Sequence, residues 1–471
     1  MTTLLHGADM FVLGYFVLLN TGYLGLVLLG SADLTRHVRR IPFAGLTEMY
    51  RSPLTRPVSV LLPAYNEAAG VIDSVRAMLS LRYPEFEVVM IDDGSTDDTF
   101  ARLREEFDLV EVPRVVPDEV PTRGTVRSVH VPRLRRDPLV VVRKENGGKT
   151  DSLNVGLNLA RYPLVCMVDA DCVLDPYALL WAAKPFADDP LRVVATGGVI
   201  RVANGCTVLA GRVVDVQMPG RWLPRIQVVE YLRAFLLGRT GWSRLGGLVI
   251  ISGAFGVFRR DMVIRVGGLT YDCVGEDAEL VVRLHRRLRE EHDRYRVVFL
   301  GEPVAWSEAP GTLRTLGRQR SRWQRGLAET LVLHRKMIGN PRYRQVGLIT
   351  LPFYVVFELL GPVVELAGLV LIPLGIVFGA VDLTFLWQFL LLAYVYATLV
   401  TITSLLAEEL ALHRFNRLRD IGVGVIAAVL ENIGYRQFTA WARLHGFWAA
   451  LRREPTRWGE MPRTGFDRAR G

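Results

Sequence analysis

The stretch YPLVCMVDADCVLDPYALL, residues 162–180, decides the predicted fold of this chain. An apolar run at 164–168 ends abruptly in two carboxylates one residue apart, Asp169 and Asp171. Acids that close a buried strand cost free energy unless a positive group or solvent lies beside them. The stretch therefore predicts a buried strand whose end meets a divalent cation, a basic side chain or water.

Upstream of this stretch, short apolar segments alternate with amphipathic ones. VSVLLPAY, FEVVMID and PLVVVRK are predicted strands, and EAAGVIDSVRAMLSL, TDDTFARLREEF and KTDSLNVGLNLA are predicted helices. This order indicates an α/β fold with a parallel sheet that carries helices on both faces. A Pro- and Arg-rich insert at 110–138 has weak periodicity and is predicted to be a loop.

Polar clusters follow the predicted strands: AYNE at 64–67, DDGS at 92–95, KENGGK at 144–149 and DAD at 169–171. Each cluster alone has a plain structural explanation, such as an Asp-rich helix start. In open α/β sheets, however, ligands bind beyond the carboxyl ends of the strands. Four polar clusters at one sheet edge are hard to explain by solvation, so we expect a ligand site there.

The chemistry of these clusters suits a nucleoside diphosphate. Asp92 or Asp93 would accept hydrogen bonds from the N–H and hydroxyl donors of a nucleoside. The glycine-rich backbone and Lys149 suit a diphosphate at a helix start. The oxygen ligands of Asp169 and Asp171 suit Mg²⁺ or Mn²⁺ held together with substrate phosphates.

Not every acid in this region points to a ligand. Asp175 comes directly before Pro176, which matches an N-cap followed by proline at the first helical position. We therefore predict that Asp175 is structural.

Two later motifs carry further candidates. Glu276 and Asp277 precede an amphipathic helix, either as helix-terminal charges or as a general base. Gln319, Arg322 and Trp323 are spaced to lie on one helical face. A tryptophan beside an arginine fork suits a sugar ring and a diphosphate, but it also suits a helix at a membrane surface.

Composition excludes both an ordinary soluble protein and a chain made only of membrane helices. The 471 residues are 50% hydrophobic and 22% charged, with a mean hydropathy of +0.23, which fits a soluble domain with membrane segments. The net charge is +9, and basic tracts at 36–40 and 452–470 adjoin apolar segments. Anionic lipid is therefore a better partner than nucleic acid. The four cysteines lack metal-ligand spacing and are predicted to be reduced thiols.

Several apolar segments are long enough for membrane insertion. Residues 10–30 form a predicted span, and the basic flank at 36–40 places that flank in the cytoplasm and the N-terminus outside. A removable signal peptide is disfavoured because no Lys or Arg precedes this segment and no small-residue cleavage site is evident. Further apolar segments lie at 347–380 and 383–406, and the short one at 421–434 is expected to be re-entrant.

Two acids fall inside the second apolar segment. Glu358 and Glu365 are seven residues apart and so share one helical face. Acids at this depth usually face a cavity or a partner, although an interfacial position without such a role is an equal alternative.

The predicted domain organisation has four parts. They are an N-terminal membrane anchor at 1–35, a cytosolic domain at 55–345, a membrane region at 346–435 and a basic cytosolic tail at 436–471.

Taken in order, the motifs AYNE, DDGS, NGGK, DAD, SGAFG, GED and QRSRW resemble the signature of family 2 glycosyltransferases. The last motif, Gln-x-x-Arg-Trp, is similar to that of the membrane-integrated cellulose, chitin, hyaluronan and poly-N-acetylglucosamine synthases. The resemblance covers residues 55–330 and implies a GT-A-like nucleotide-sugar-binding domain with transmembrane and interfacial helices. The insert at 110–138 and the single preceding span depart from the family pattern.

The resemblance also implies an activity and a location. The expected reaction is inverting transfer of a sugar, GlcNAc or glucose, from a UDP-sugar to a growing β-linked glycan or a lipid-linked acceptor. Mg²⁺ or Mn²⁺ is the expected cofactor. The expected location is the inner or plasma membrane, crossed several times, with the catalytic domain in the cytoplasm. Membrane lipids and accessory export proteins are the other expected partners, and nucleic acid is not.

The motif positions imply residue roles by analogy. At the nucleoside we expect Tyr65, Glu67, Asp92 and Asp93. At the diphosphate and metal we expect Lys149, Asp169 and Asp171. At the acceptor, or closing over donor and acceptor, we expect Ser252, Gly253, Gln319, Arg322 and Trp323. Asp277 is the expected base, with Glu276 beside it.

Two other functions fit part of the sequence. A phosphatase or phosphotransferase of the Asp-x-Asp type would use Asp169 as nucleophile, and Val173 suits that motif, but QRSRW has no role in such an enzyme. A catalytically inactive nucleotide-binding receptor or scaffold at the membrane is the non-enzymatic alternative. The complete set of acids argues against decay of the active site.

Overall fold

The structure, a computed structural model, describes residues 2–40, 45–134, 137–209, 212–379, 383–412 and 418–454. Its segments group into two compact units. The sheet unit is built from segments within Arg40–Val216 and Leu248–Glu308. The helical unit is built from segments within Met1–Arg39, Gln217–Gly247 and Ala309–Arg463.

The strands all belong to the sheet unit. In chain order they are β1 (Val58–Ala64), β2 (Phe86–Asp92), β3 (Leu109–Glu111), β4 (Val126–Pro132), β5 (Leu139–Lys144), β6 (Leu164–Val168), β7 (Val173–Leu174), β8 (Val193–Val202), β9 (Thr207–Leu209), β10 (Arg212–Asp215), β11 (Phe255–Arg259) and β12 (Arg296–Ser307).

The helices occur in both units. In chain order they are α1 (Thr2–Arg40), α2 (Leu46–Arg51), α3 (Val71–Leu79), α4 (Thr99–Glu106), α5 (Lys149–Leu159), α6 (Ala178–Asp188), α7 (Trp222–Tyr231), α8 (Arg239–Arg244), α9 (Arg260–Arg265), α10 (Glu276–Glu290), α11 (Leu313–Leu333), α12 (Leu351–Phe353), α13 (Gly361–Val377), α14 (Leu383–Leu390), α15 (Tyr396–Leu412), α16 (Leu418–Leu430) and α17 (Arg436–Leu451). Shorter π and 3₁₀ turns lie at Leu232–Gly238, Arg335–Met337, Pro341–Tyr343, Val346–Thr350, Tyr354–Leu359, Leu391–Val395 and Glu431–Tyr435.

The central sheet has ten strands in the order β3-β4-β5-β2-β1-β6-β11-β8-β12-β7. Strands β5, β2, β1 and β6 are mutually parallel, which confirms the parallel arrangement predicted for this part of the chain. Both faces are covered, since α3 and α6 pack in one core while α5 packs on β1 and β2 through Gly156 against Leu61 and Ile91. Burial on both faces explains why β6 is a continuous apolar run and why β1 and β2 are apolar apart from Ser59, Glu87 and Asp92.

The rest of the sheet, beyond the strands predicted from the sequence, is mixed. Strand β11 runs antiparallel to both β6 and β8, and β12 runs parallel to β8. The predicted loop at 110–138 was wrong in part, because β4 lies within it and pairs antiparallel with β5. Pairing with β5 and with β3, rather than its own weak periodicity, holds this short strand.

The helical unit contains the apolar segments. Two helices in the described part of the chain are long and apolar enough to cross a membrane, His6–Arg39 and Val346–Val377. They include the predicted segment at 10–30 and most of that at 347–380, whereas topology and the number of spans stay predictions. The segment at 421–434 ends in a helix break at Ile433 and Gly434, and its re-entrant placement also stays a prediction. In the predicted basic tail, α17 is described, and residues 455–471 lie outside the described part.

The two acids of the second apolar segment both face arginines of α17. Glu358 accepts a hydrogen bond from Arg443 Nη2 at 2.9 Å and another from the hydroxyl of Tyr23. Glu365 pairs with Arg436 Nε at 2.8 Å and lines a polar cavity of about 120 Å³ within the helical unit. The acids and the arginines are each seven residues apart, so two matched ion pairs join antiparallel helices. This arrangement favours the partner-facing alternative over the purely interfacial one.

Candidate active site

Three of the predicted polar clusters meet at the carboxyl edge of the sheet. Asp92, at the end of β2, is in register with Ala64 of β1 and with Arg143 of β5. The backbone N–H of Asn66 donates to Ser95 Oγ at 3.0 Å, and Thr96 N–H donates to Asn66 Oδ1 at 2.8 Å. The loops after β1 and β2 are therefore joined to each other by side-chain hydrogen bonds.

The residues predicted to lie at the nucleoside differ in exposure. Tyr65 is 49% exposed at this edge, and the backbone N–H of Glu67 donates to Thr99 Oγ1 at 2.9 Å. Asp92 is buried and accepts a hydrogen bond from Ser95 N–H at 3.1 Å. Asp93 is buried too, and it accepts hydrogen bonds from the backbone N–H groups of the glycine-rich loop.

Lys149 lies at the centre of the cluster. It begins α5, and its ammonium Nζ lies 2.6 Å from Asp169 Oδ1 and 3.2 Å from Glu276 Oε1. Burial by itself would lower the pKa of Lys149, but the two carboxylates together hold that pKa above its ordinary value. Of the three neighbours predicted for the acids, a divalent cation, a basic side chain or water, the structure has a basic side chain, Lys149, beside Asp169.

Asp277 lies beside a close approach of two chain segments. Its Oδ2 accepts a hydrogen bond from Gly253 N–H at 2.7 Å, and its Oδ1 accepts one from Ala278 N–H at 2.8 Å. A β-carbon on Gly253 would lie 3.0 Å from Lys149 Nζ and 3.2 Å from Asp277 Oδ2, so only glycine fits without displacement. The structure thus brings the segment after Ser252 against both the lysine and the acid predicted to be the base.

Glu276 occupies a different environment from Asp277. Glu276 is buried, and burial holds the pKa of its carboxyl above the ordinary value. The charge of Lys149 opposes this shift, and the charge of Asp277 adds to it. Because Glu276 contacts Lys149 directly, it is an ion-pair partner within the cluster.

The DAD segment forms a tight turn at the end of β6. Cys172 N–H donates to the carbonyl of Asp169 at 3.1 Å, and Ser74 Oγ donates to the carbonyl of Ala170 at 2.8 Å. Asp169 and Asp171 are both partly exposed at the same sheet edge. Two hard oxygen donors with substrate phosphates fit Mg²⁺ or Mn²⁺. Within the residues that the structure describes, no group of three or more His, Cys, Asp or Glu side chains offers a complete protein-only metal site.

A buried charge network beneath these loops was missed at the sequence level. Lys144 is fully buried, and its Nζ lies 2.5 Å from Asp93 Oδ1 and 2.8 Å from Asp151 Oδ2. A lysine at the end of an apolar strand is weak evidence for a buried ion pair, since the ammonium group of such a residue usually reaches solvent. Asp93 lies 51 residues before Lys144, and Asp151 lies beyond the glycine-rich loop, so no helix or strand periodicity pointed to either partner.

The Gln-x-x-Arg-Trp motif lies on α11 of the helical unit, where Gln319 is buried and Arg322 lies one turn further on. Trp323 is 38% exposed, and its ring lies 6.5 Å from that of Tyr231 and 6.1 Å from that of Phe235.

Arg320, between the motif residues, was also missed at the sequence level. Its guanidinium lies 4.4 Å from the Trp323 ring centre, and it donates to Glu230 Oε2 at 2.5 Å and to Tyr435 OH at 3.2 Å. The predicted site residues therefore divide between the sheet unit and the helical unit.

Two plainer predictions have different outcomes. Asp175 Oδ1 accepts a hydrogen bond from Tyr177 N–H at 2.9 Å in the turn before α6, which fits a structural role, but the N-cap of α6 is Tyr177 and the predicted capping position was wrong. The prediction for the cysteines is confirmed. All four cysteines are buried free thiols.

Comparison with known proteins gives a consistent result. The family model described as glycosyltransferase like family 2 matches residues 55–326. The poly-beta-1,6-N-acetyl-D-glucosamine synthase of Staphylococcus aureus (strain COL) is 27% identical over 305 residues, which cover 64% of this chain and 62% of that protein. The Staphylococcus epidermidis protein of the same name is 28% identical over 275 residues, which cover 58% and 55%. The chain thus spans less than two thirds of the length of these curated relatives.

A solved structure shows the same fold. The mannosyltransferase PcManGT from Pyrobaculum calidifontis, in complex with GDP-Man and Mn²⁺, is 18% identical and aligns with a TM-score of 0.52 over 94% of this chain and 100% of that one. This likeness supports the GT-A-like fold expected from the motifs. The family match covers more than half of the chain and includes the strands and loops described above, and so this protein is a member of glycosyltransferase like family 2.

Proposed function

We propose that this protein is an inverting glycosyltransferase that moves a sugar from a UDP-sugar to a β-linked glycan or a lipid-linked acceptor at a membrane. The observation that carries the proposal is the contact between Lys149, Asp169 and Glu276 with Asp277 and Gly253 beside it. The ammonium of Lys149, three carboxylates and the closely approaching backbone of Gly253 thus meet at the carboxyl edge of the sheet, where open α/β folds bind ligands. A purely structural role would not require so many charged groups at one partly open edge.

The donor half of the site would bind a diphosphate. Lys149 is held at the N-terminus of α5, where its ammonium and the helix dipole both favour phosphate oxygens. Asp169 and Asp171 would hold Mg²⁺ or Mn²⁺, which when bound supplies positive charge to the leaving diphosphate. Tyr65, exposed at the same edge, would lie against the base of the nucleotide.

Asp277 is the residue that we propose as general base. Inverting transfer needs a carboxylate that takes the proton of the acceptor hydroxyl as that oxygen attacks the anomeric carbon. The N–H groups of Gly253 and Ala278 fix the orientation of the Asp277 carboxylate. Glu276 is less suitable, because its carboxylate is engaged by Lys149.

The identity of the sugar is proposed from the relatives. Both staphylococcal relatives are named as poly-beta-1,6-N-acetyl-D-glucosamine synthases, which supports UDP-GlcNAc as the first donor to test, with UDP-glucose second. The archaeal structure contains GDP-Man and Mn²⁺, so a guanosine donor belongs in the same panel.

The membrane setting is also a proposal. The two apolar helices, His6–Arg39 and Val346–Val377, support a multi-pass protein of the inner or plasma membrane with a cytoplasmic catalytic domain. Membrane lipids and accessory export proteins are its proposed partners. Ser252 and Gly253 would border the acceptor, and the family resemblance gives Gln319, Arg322 and Trp323 a role in binding donor or acceptor.

The test uses the purified full-length protein in detergent with Mn²⁺. Labelled UDP-GlcNAc, UDP-glucose and GDP-mannose are each offered with short β-1,6-linked glucosamine oligomers, and both donor binding and product are measured. We expect transfer from one UDP-sugar and none by Asp277→Asn. Binding of a nucleotide sugar by wild type without transfer or hydrolysis would instead support the receptor or scaffold alternative.

A further inference from the structure

Helix α5 has a polar face that is buried rather than exposed. Asp151, Asn154 and Asn158 lie at spacings that place them on one side of the helix, and each is at most 3% exposed. Buried polar side chains are costly unless they are hydrogen-bonded, so their partners reveal what this face does.

The partners of the two asparagines lie in the insert and near the active site. Asn158 accepts a hydrogen bond from Val120 N–H at 3.0 Å and donates to the Val120 carbonyl at 2.9 Å, as a neighbouring strand would. Asn154 donates to the carbonyl of Pro121 at 3.2 Å and accepts from Leu269 N–H at 2.8 Å.

Asp151 contacts the insert, Tyr271 and the end of β5. Its Oδ1 accepts hydrogen bonds from Arg123 N–H and from the hydroxyl of Tyr271, both at 2.6 Å. Its Oδ2 accepts one from Gly124 N–H at 2.9 Å and lies 2.8 Å from Lys144 Nζ. A β-carbon on Gly124 would lie 2.5 Å from the carbonyl oxygen of Glu145, so the insert passes directly against the strand end that precedes the glycine-rich loop.

The same lysine completes the connection to the glycine-rich loop. Lys144 Nζ also binds Asp93 Oδ1, and Asp93 accepts hydrogen bonds from Gly147 N–H at 3.0 Å and Gly148 N–H at 2.8 Å. A continuous set of buried hydrogen bonds therefore runs from the insert through Asp151, Lys144 and Asp93 to the residues directly before Lys149.

The charges in this hydrogen-bond network make its arrangement depend on each of Asp93, Lys144 and Asp151. One fully buried cation lies between two carboxylates, and backbone N–H groups satisfy the remaining oxygens. Removing the Asp151 carboxylate leaves the buried Lys144 ammonium with one carboxylate, Asp93, and the Glu145 carbonyl, which favours rearrangement of the loop that Asp93 holds.

We infer that Asp151 is a positioning residue that couples the insert at 119–124 to the glycine-rich loop before Lys149 and, through Tyr271, to the segment that carries Asp277. The inference rests on the proposed function for its kinetic consequences. The insert, which departs from the family pattern, is by this inference part of the support of the donor site. Tyr271 precedes Asp277 by six residues, so the same carboxylate positions both the lysine and the acid.

The test compares Asp151→Asn and Tyr271→Phe in the full-length protein, by hydrogen exchange without ligand and by steady-state kinetics. Asp151→Asn should speed exchange in both 119–124 and 144–149 and raise the donor KM about tenfold, with a smaller change in kcat. Tyr271→Phe should speed exchange only in 269–277 and lower kcat with the donor KM unchanged.

Two variants serve as matched controls. Asp108→Asn removes an exposed acid paired with Arg133, and Tyr162→Phe removes an exposed hydroxyl bonded to Glu85. Both should leave exchange in these segments and both kinetic constants unchanged.

Faster exchange confined to 119–124 in Asp151→Asn, with wild-type donor KM, would overturn the inference, because Asp151 would then only anchor the insert. If Asp151→Asn does not fold, the test rests on Tyr271→Phe. An unchanged kcat together with unchanged exchange in 269–277 for that variant would overturn the inference. If wild type transfers no sugar, the proposed function fails, while the exchange comparison still tests the coupling.

Discussion

The backbone N–H of Gly253 donates to Oδ2 of Asp277 across 2.7 Å, so the acid that we propose as base is oriented by a residue without a side chain. The missing β-carbon of the same glycine also leaves room for Lys149 Nζ. The proposed base and the proposed phosphate-binding lysine thus depend on one close approach of the backbone.

Replacing Asp277 by asparagine should abolish transfer while keeping donor binding. Asparagine preserves the size, and its single amide oxygen can accept the hydrogen bond of either Gly253 N–H or Ala278 N–H, but it cannot take a proton from the acceptor. We expect transfer to fall by about 10²-fold or more. Calorimetry of UDP-sugar binding and radiolabelled product formation measure the two effects. Near wild-type transfer would move the role to Glu276, and loss of donor binding as well would indicate a structural acid.

Replacing Gly253 by alanine should impair both halves of the site. The added carbon would meet Lys149 Nζ at 3.0 Å and Asp277 Oδ2 at 3.2 Å, so the lysine or the acid must shift. We expect kcat/KM for transfer to fall about tenfold or more, since small displacements of reacting groups are costly. Gly311→Ala, where a β-carbon meets open space, is the control and should behave as wild type. Equal activity of the two variants would show that Gly253 is not a close-packed member of the site.

Replacing Asp171 by asparagine should weaken metal-dependent donor binding. The cation would lose a charged oxygen ligand, and only Asp169 would remain as a carboxylate from the DAD segment. UDP-sugar affinity should fall strongly in the variant, and EDTA should have the same effect on wild type. Affinity that responds to neither change would rule out a metal at this position.

Acid should destabilise the sheet unit through Asp151. Burial alone would raise the pKa of this carboxyl, but hydrogen bonds from Lys144, Tyr271 and the insert backbone together hold it below its ordinary value. The unfolded chain protonates Asp151 at about pH 4, so its stabilisation is complete above that value and is lost as pH falls through the lower folded pKa. Thermal unfolding from about pH 6 to about pH 3 should therefore show a steeper loss for wild type than for Asp151→Asn. Parallel curves would exclude Asp151 as a source of acid sensitivity.

The matched ion pairs of the helical unit should contribute to its stability. Glu365 and Arg436 are both mostly buried, so Glu365→Gln should lower the free energy of unfolding by about 1–3 kcal/mol. The exposed pair of Arg244 and Asp33 provides the control, and Asp33→Asn should have little effect. Combining Glu365→Arg with Arg436→Glu should recover part of the loss in detergent melting experiments. No recovery would mean that the contacts of Glu365 within the cavity, rather than its ion pair with Arg436, account for the lost stability.

Much of the site could be predicted from sequence because it is built at strand ends. Each of the four polar clusters follows an apolar run, and parallel strands bring their ends to one edge. The structural role of Asp175 was equally local, since its carboxylate accepts a hydrogen bond from a residue two positions further on. These features require no knowledge of distant contacts.

The buried charges could not be predicted in the same way. Asp93 was expected to face a nucleoside, but its carboxylate binds Lys144 and the glycine-rich loop, and its nucleotide-binding role stays a prediction. The partners of Lys144 lie 51 and 7 residues away, and only the tertiary fold brings them together. Strand β4 was missed for a related reason, since its pairing with β5 outweighs its weak periodicity.

The position of β11 has a consequence for how the chain folds. Strands β6 and β8 are joined in the sheet only through β11, which comes later in the chain than either of them. Between β8 and β11 the chain makes an excursion, Gln217–Gly247, that belongs to the helical unit. The parallel half can form early during synthesis, but the sheet is completed only after that excursion has emerged. Such long-range pairing folds slowly, so completion of the central sheet is kinetically tied to the synthesis of a segment of the helical unit.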